Sequence, residues 1–287
     1  MFSYVLRNDP SCTGGTFHSY IFLPGSRCFL VRKLSVALSF LTIIPVNVGV
    51  FRNPRELSDA AVFFPLVGGL IGIVFAVTAF YFLLLIPPGP VIVLLFMGTF
   101  ILTRGLHVDG LADTADGLLG GMKKERALAI MHDSAIGPMG AGAVFLIYLF
   151  KYAAINSAGA EFIPLLFFAM PVCGRWSMVL SGASYPPARE GGLGYQFISG
   201  LGWRQFLKSS LMGGVLLALT VFYGGAGFIF PVLAGVIFAF AAALLLSFLA
   251  SRFLGGITGD ILGAVNETAE ATFVLGAILW LGLISQI

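Results

Sequence analysis

The sequence predicts an all-α, polytopic integral membrane helical bundle, with about seven transmembrane helices and a short N-terminal re-entrant or interfacial helix. Of its 287 residues, 58% are hydrophobic and 10% are charged, whereas a soluble domain carries about 25% charged residues. The mean hydropathy is +0.99, and apolar stretches recur along the chain. This composition excludes a soluble enzyme and a disordered chain. A net charge of only +3 argues against a nucleic-acid partner.

Each predicted span is an apolar stretch bounded by charged residues, prolines or glycines. About 20 apolar residues cross the hydrocarbon core. The Pro-rich segment 87–90 and the Gly-rich segment 224–227 break the apolar runs, as expected for turns between spans. We therefore expect spans at 61–86, 91–103, 138–157, 162–182, two within 209–251, and 271–287.

The N-terminal region differs from the rest of the chain. We expect residues 1–32 to form a loosely ordered extension and 33–287 to form a single transmembrane domain. The stretch 34–50 is apolar but short, contains Pro45 and has basic residues on both sides, so we expect it to be re-entrant or interfacial. The three cysteines show no CxxC spacing, so no metal or redox motif is indicated.

Basic residues collect in one set of connections between the spans. Lys and Arg occur around 27–55, 104–126, 189–208 and at Arg252, whereas the turns at 87–90, 158–162 and 224–230 are short and lack them. The positive-inside rule then predicts that the long polar loops face the cytoplasm. We expect a multi-pass protein of the cell inner membrane, in contact with membrane lipid, with its active face in the cytoplasm.

Three aspartates form the most informative pattern in the sequence. Asp109, Asp113 and Asp116 are spaced i, i+4 and i+7, which places them within about 60° of one another on a helix. Carboxylates this close repel unless a cation shares the site, and Mg²⁺ prefers oxygen ligands and bridges to phosphates. The alternative is a solvated helix face. Small neighbours are predicted to leave room for a bulky phosphorylated ligand: Gly110, Ala112, Ala115 and Gly117.

Polar residues near the ends of other predicted spans are further candidates. His132 and Asp133 precede a glycine-containing helix start, where backbone N–H groups can meet an anion. Arg189 adjoins glycines and could hold a phosphate, and Asp260 and Glu267 share one helical face at i and i+7. The alternatives are helix caps formed by Asp133 or Ser134, and by Thr258 or Asp260.

Two cations lie inside predicted spans. Lys151 is about thirteen residues into one span, and Arg175 lies within the next. A buried ammonium or guanidinium is costly unless it is paired. Pairing with one of the aspartates or with a ligand phosphate would remove that cost, and snorkelling toward the interface is the alternative.

Several ordered motifs resemble those of the cobalamin synthase family, the adenosylcobinamide-GDP ribazoletransferases. The likeness runs from about Lys33 to the C-terminus, and the matching segments are 39–45, 64–68, 105–117, 130–137 and 256–264. The resemblance implies a Mg²⁺-dependent integral membrane enzyme. It would transfer the adenosylcobinamide-phosphate moiety of adenosylcobinamide-GDP to α-ribazole or its 5′-phosphate. The products would be GMP and adenosylcobalamin or its 5′-phosphate.

The resemblance and the chemistry of phosphoryl transfer together suggest residue roles. Such a reaction needs charge neutralisation, a general base and groups that clamp phosphate oxygens. The predicted metal ligands are Asp109, Asp113 and Asp116. The predicted catalytic residues are Asp116 or Asp133 as the base, and Lys151. The predicted substrate-binding residues are His132, Arg175, Arg189, Asp260 and Glu267. No nucleic acid is expected as a partner, and a homo-oligomer is possible.

Two other functions compete with this interpretation. A phosphatidyltransferase that uses a CDP-activated alcohol also displays several aspartates beside the membrane. Asp109-Gly110 fits its pattern, but the Ala-Arg element that usually follows is missing. A cation transporter would carry polar residues on both sides of the membrane, and the short outer loops lack them.

Overall fold

The computed structural model describes residues 26–46, 55–121, 123–133 and 135–284. Within these ranges the chain forms twelve α-helices and no strand, so the predicted all-α class is confirmed. The helices are α1 (Ser26–Leu41), α2 (Glu56–Ala60), α3 (Phe64–Leu83), α4 (Pro88–Thr103), α5 (Leu106–Leu119), α6 (Lys124–Ile130), α7 (Pro138–Ser157), α8 (Ile163–Ser184), α9 (Gly192–Gly200), α10 (Trp203–Gly224), α11 (Ile229–Leu254) and α12 (Gly259–Ile284).

Among the described residues, six helical segments are long and apolar enough to cross a membrane. A seventh results if α4 and α5 count as one span bent by 90°. The predicted bundle of about seven transmembrane helices is therefore confirmed. The last span needs a correction, because it runs Gly259–Gly282 rather than starting at residue 271. Acidic residues lower its mean hydropathy to 1.2, and buried cations described below neutralise two of them.

The bend between α4 and α5 is made by Arg104 and Gly105. Both have a positive φ, 56° and 65°, a conformation that is costly for any residue except glycine. The Arg104 guanidinium donates hydrogen bonds to the backbone carbonyls of Ser39 and Thr42, at 3.1 and 3.0 Å. These bonds tie the bend to the end of α1 and help to set the direction of α5.

Helices α8 and α12 form the centre of the bundle. In each of them 78% of the membrane-spanning window is buried, against 17% in α10. Glycines allow the neighbouring backbones to approach α8 closely. A Cβ at Gly68 would lie 2.4 Å from the Pro171 carbonyl oxygen, and one at Gly72 would lie 2.6 Å from that of Phe168. Helix α3 therefore packs backbone to backbone against α8.

The polar connections gather at one end of the bundle. The Ser58 hydroxyl lies 2.9 and 2.8 Å from the carbonyl oxygens of Gln196 and Phe197. The Ile257 N–H donates to the Pro186 carbonyl at 2.8 Å. These contacts join the segments before α3, between α8 and α10, and between α11 and α12, so the long loops that we predicted to share a face do lie together.

The N-terminal region is described only in part. Helix α1 begins at Ser26, inside the segment that we expected to be an extension, and residues 1–25 lie outside the described ranges. Residues 47–54 also lie outside them. The re-entrant or interfacial character of 34–50 therefore stays a prediction.

Candidate active site

Helix α5 carries the three predicted aspartates along the polar end of the bundle. The Asp109 side chain is exposed, and Asp113 and Asp116 are half-buried. The four small residues beside them are all buried, and Ala112, Ala115 and Gly117 do not line the cavity described below. A Cβ at Gly117 would lie 2.6 Å from a Met131 side-chain carbon. The expectation that these three leave room for a ligand is wrong.

Gly110 is the small residue that does border a cavity, and it also sets the distance between α5 and α12. A Cβ there would lie 2.7 Å from the Asp260 carbonyl oxygen and 3.1 Å from the Gly263 Cα. This backbone contact brings Asp260 to the aspartates of α5. Asp113 is half-buried within electrostatic reach of Asp109, Asp116 and Asp260. The structure therefore assembles four carboxylates from two helices.

Asp116 differs from the others because it holds the start of α7. Its two carboxylate oxygens accept hydrogen bonds from the backbone N–H groups of Gly137 and Gly140, at 2.7 and 2.8 Å. A Cβ on either glycine would lie 2.4 Å from a carboxylate oxygen of Asp116. This geometry makes Asp116 a clamp between α5 and the positive end of the α7 helix dipole.

A cavity of about 160 Å³ lies between α5, α9 and α12. Asp109 and Asp260 line it on the acidic side. Its other walls are formed by the imidazole of His107 and by small or apolar residues, which are Phe40, Leu106, Gly110, Met178, Leu193, Gly194, Phe197, Gly259, Leu262 and Gly263. The Arg189 guanidinium lies 3.8 Å from the Asp260 carboxylate, and both side chains are partly exposed. The two carboxylates of the cavity and the neighbouring Asp113 thus outnumber the Arg189 guanidinium, a balance that favours a bound cation.

The start of α12 shows which of Thr258 and Asp260 caps the helix. The Ile261 N–H donates to the Thr258 hydroxyl oxygen at 3.3 Å, and the Thr258 hydroxyl donates to Asp260 at 3.2 Å. Thr258 is therefore the helix cap, as one alternative proposed. The Asp260 carboxylate is oriented by this hydroxyl and lines the cavity.

His132 and Asp133 lie apart from this cavity. Both side chains are exposed, and neither lines it. The Asp133 carboxylate accepts a local hydrogen bond from the Ala135 N–H at 3.3 Å. Ser134 lies outside the described residues. The predicted catalytic role of Asp133 and the predicted binding role of His132 stay predictions, and no described contact brings either side chain to the cavity.

Lys151, Arg175 and Glu267 meet in a buried network inside the bundle, together with Glu270. The Lys151 ammonium donates to Glu267 at 2.7 Å and to Glu270 at 2.8 Å. Arg175 pairs with the other Glu270 oxygen, and Asn266 donates to both glutamates at 3.2 Å. The side chains of all four charged residues are at most 5% exposed. Two cations thus balance two carboxylates.

This network differs from the pairing that we expected. Lys151 binds glutamates of α12 rather than an aspartate of α5 or a ligand phosphate, and neither it nor Arg175 snorkels. Glu270 was missed, although its i+3 spacing from Glu267 places both on one helix face. The predicted roles of Lys151, Arg175 and Glu267 in catalysis and binding stay predictions. None of the three lines the cavity.

The donor set at the cavity fits a hard divalent cation. Carboxylate oxygens are what Mg²⁺ prefers, and it keeps several water ligands instead of needing a cage of protein atoms. Within the described residues, no three His, Cys, Asp or Glu side chains converge closely enough to form such a cage. An ion at this place would therefore be bound by one or two carboxylates, water and substrate.

Comparison with known proteins adds independent evidence. A family model described as cobalamin-5-phosphate synthase matches residues 33–278. Adenosylcobinamide-GDP ribazoletransferase of Syntrophobacter fumaroxidans is 42% identical over 178 residues, 60% of this chain and 71% of the relative. The relative of that name from Chlorobaculum tepidum is 36% identical over 254 residues, 88% of this chain and 97% of its own length. No solved structure matches the chain.

The fold and the site define a polytopic helical membrane protein with a carboxylate-lined cavity at one end of its bundle. The matching family model extends over most of the chain, from the end of the predicted extension to the last turns of α12. The chain belongs to the cobalamin-5-phosphate synthase family.

Proposed function

We propose that this protein is an adenosylcobinamide-GDP ribazoletransferase. It transfers the adenosylcobinamide-phosphate moiety of adenosylcobinamide-GDP to α-ribazole or α-ribazole 5′-phosphate, and it releases GMP. The observation that carries the proposal is the match of residues 33–278 to the family, which includes every residue of the cavity. Relatives that bear this enzyme name support it, and they favour it over the phosphatidyltransferase and transporter alternatives.

The reaction breaks a phosphoanhydride bond and forms a phosphodiester bond. A ribazole hydroxyl attacks the phosphorus that carries the cobinamide, the bond from that phosphorus to the GMP oxygen breaks, and the hydroxyl proton goes to a base. Asp116 and Asp133, predicted for this task, do not line the cavity. Asp109 and Asp260 do, so we assign the proton acceptor to one of these two carboxylates.

We further propose that one or two of the carboxylates of Asp109, Asp113 and Asp260 hold a Mg²⁺ ion, with water and substrate phosphate as its other ligands. The support is that α5 and α12 bring these three side chains within electrostatic reach of one another, and that the carboxylates there outnumber the Arg189 guanidinium. Bound Mg²⁺ would neutralise charge on the phosphates and on the departing GMP. The two carboxylate oxygens of Asp116 accept hydrogen bonds from backbone N–H groups at the start of α7. Asp116 would therefore hold α5 against α7 instead of binding the metal directly.

Arg189 is proposed to bind substrate phosphate. Its guanidinium is partly exposed and sits at a long 3.8 Å from Asp260, so it can turn toward an incoming anion without breaking a short ion pair. The cavity, at about 160 Å³, has room for a phosphate group and not for a whole corrinoid, so the corrinoid would lie outside it.

The proposed location is the cell inner membrane, with the cavity facing the cytoplasm. The support is the gathering of basic residues in the loops at the cavity end of the bundle. Membrane lipid would surround the exposed apolar faces of the outer helices.

The proposed activity is tested with membranes or detergent-solubilised protein. Adenosylcobinamide-GDP, α-ribazole and MgCl₂ are supplied, and GMP and adenosylcobalamin are quantified by chromatography. We expect equal amounts of the two products, and loss of both when Mg²⁺ is chelated or in Asp113→Asn. Glu161→Gln, an exposed carboxylate at the opposite end of the bundle, is the matched control. Absence of product from the wild type, or product unaffected by Asp113→Asn, would contradict the proposal.

A further inference from the structure

His107 joins the cavity to the buried charge network. It lies in the first turn of α5, two positions before Asp109, and it lines the same cavity as Asp109 and Asp260. Its side chain is nevertheless buried, with the residue 1% exposed. The imidazole Nδ1 is 3.4 Å from a guanidinium nitrogen of Arg175. Nε2 is buried and has no hydrogen-bond partner among the described residues.

Arg175 determines which imidazole nitrogen carries the proton. A guanidinium offers N–H donors and no acceptor, so Nδ1 must present its lone pair and the ring proton must sit on Nε2. Arg175 is itself held by Glu270, which also binds Lys151. The network therefore maintains a neutral imidazole whose Nε2–H is a donor in a fixed place.

Nε2 itself is covered by protein, but His107 lines the cavity, so a ligand oxygen that enters the cavity and displaces this cover is the acceptor that Nε2–H lacks. Buried N–H groups nearly always have a partner, and an exception calls for a physical explanation. The acceptor must be an oxygen that tolerates the carboxylates nearby. Phosphate oxygens brought in with a bound cation and with Arg189 meet that requirement, whereas a free carboxylate ligand would add to the repulsion.

We propose that His107 contacts substrate, with its Nε2–H donating a hydrogen bond to a phosphate oxygen of the guanosine-diphosphate-activated substrate. The proposal rests on the function proposed above. Arg175, Glu270 and Lys151 are positioning residues in this arrangement, because they act on substrate only through the orientation and tautomer of His107.

Two substitutions separate this role from a purely structural one. In His107→Gln the side-chain amide reaches as far as Nε2 and can donate there. In His107→Asn the shorter side chain places its amide near Nδ1, where its oxygen can accept from Arg175, but it leaves nothing at Nε2. If His107 donates to substrate, His107→Gln keeps that hydrogen bond. If His107 only accepts a hydrogen bond from Arg175, His107→Asn keeps that one instead.

The experiment measures kcat/KM for adenosylcobinamide-GDP, the calorimetric affinity for GMP in MgCl₂, and the unfolding midpoint of each variant in detergent. We expect His107→Asn to lower both kcat/KM and GMP affinity by about 10- to 100-fold, the range for a hydrogen bond to a charged group. We expect His107→Gln to retain most of both, and the two midpoints to agree.

Other results overturn the proposal. His107→Asn equal to wild type with His107→Gln impaired would mean that the ring only anchors Arg175. If both variants have wild-type kcat/KM and GMP affinity, His107 does not contact substrate. If both variants lose activity and affinity equally and also unfold at lower midpoints, the role of His107 is structural. If the wild type binds GMP but releases none from adenosylcobinamide-GDP, the proposed function fails while the phosphate contact is still judged from GMP affinity.

Discussion

Removal of the Lys151 ammonium is the perturbation that tests the buried network most sharply. Lys151→Met keeps an unbranched apolar stem but leaves two carboxylates, Glu267 and Glu270, facing the single remaining cation. The lost contacts are the hydrogen bonds of 2.7 and 2.8 Å. Removing one partner of a buried ion pair costs about 3–5 kcal/mol, because an uncompensated charge stays in a dry interior. We expect a loss of this size in the free energy of unfolding.

A second substitution shows whether charge balance is the cause. In Lys151→Met/Glu267→Gln the remaining pair, Arg175 and Glu270, is again neutral. We therefore expect the double variant to lose less stability than the sum of the two single variants, by about 1–3 kcal/mol.

The assay is reversible unfolding in mixed detergent micelles, followed by circular dichroism. The four proteins of the double-mutant cycle are compared under one set of conditions. Additive losses, or a Lys151→Met variant as stable as the wild type, would refute the conclusion that these side chains form one charge-balanced network.

Three further predictions concern the packing and the rim of the cavity. Gly140→Ala places a methyl group 2.4 Å from the carboxylate that clamps α7, so we expect a loss of about 1–3 kcal/mol by detergent unfolding. Gly142→Ala, with open space around its Cβ, should cost little, and an equal loss would count against the clamp. Gly110→Ala forces α5 away from α12, so the rate of GMP release should fall well below that of the control Gly214→Ala. Equal rates in the two variants would contradict the conclusion that close packing of α5 on α12 brings Asp260 to the aspartates of α5. Arg189→Gln should raise the KM for adenosylcobinamide-GDP more than that for α-ribazole, in steady-state kinetics; a change confined to α-ribazole would argue against a phosphate contact.

The architecture could be predicted because hydropathy is a local property. Uncharged runs of membrane-spanning length, broken by prolines and glycines, specify the spans with no knowledge of what packs against them. The spacing of Asp109 and Asp113 likewise specifies a shared helix face. The start of α12 was misplaced because Asp260, Glu267 and Glu270 lower the local hydropathy, and only their partners make a membrane-spanning helix of that segment.

The partners themselves depend on helix packing between distant parts of the chain. Lys151 and Glu267 are separated by 116 positions, and Asp116 meets the start of α7 only because the chain turns back after α6. Spacing within one helix carries no information about such contacts. The sequence predicted that Gly110 leaves room for a ligand, and it did not predict the contact of Gly110 with α12. A small residue indicates close approach, but it does not say whether a ligand or a helix approaches.

Binding of a divalent cation shows whether the carboxylates of α5 and α12 form a metal site. Mn²⁺, which can replace Mg²⁺ at oxygen sites, is titrated into the detergent-solubilised protein and followed by electron paramagnetic resonance, without any substrate turnover. We expect Mn²⁺ to bind at one site in the wild type and in Glu161→Gln, and to bind more weakly in both Asp113→Asn and Asp260→Asn. Equal Mn²⁺ binding by all four proteins, or no binding by the wild type, would contradict the proposed metal site.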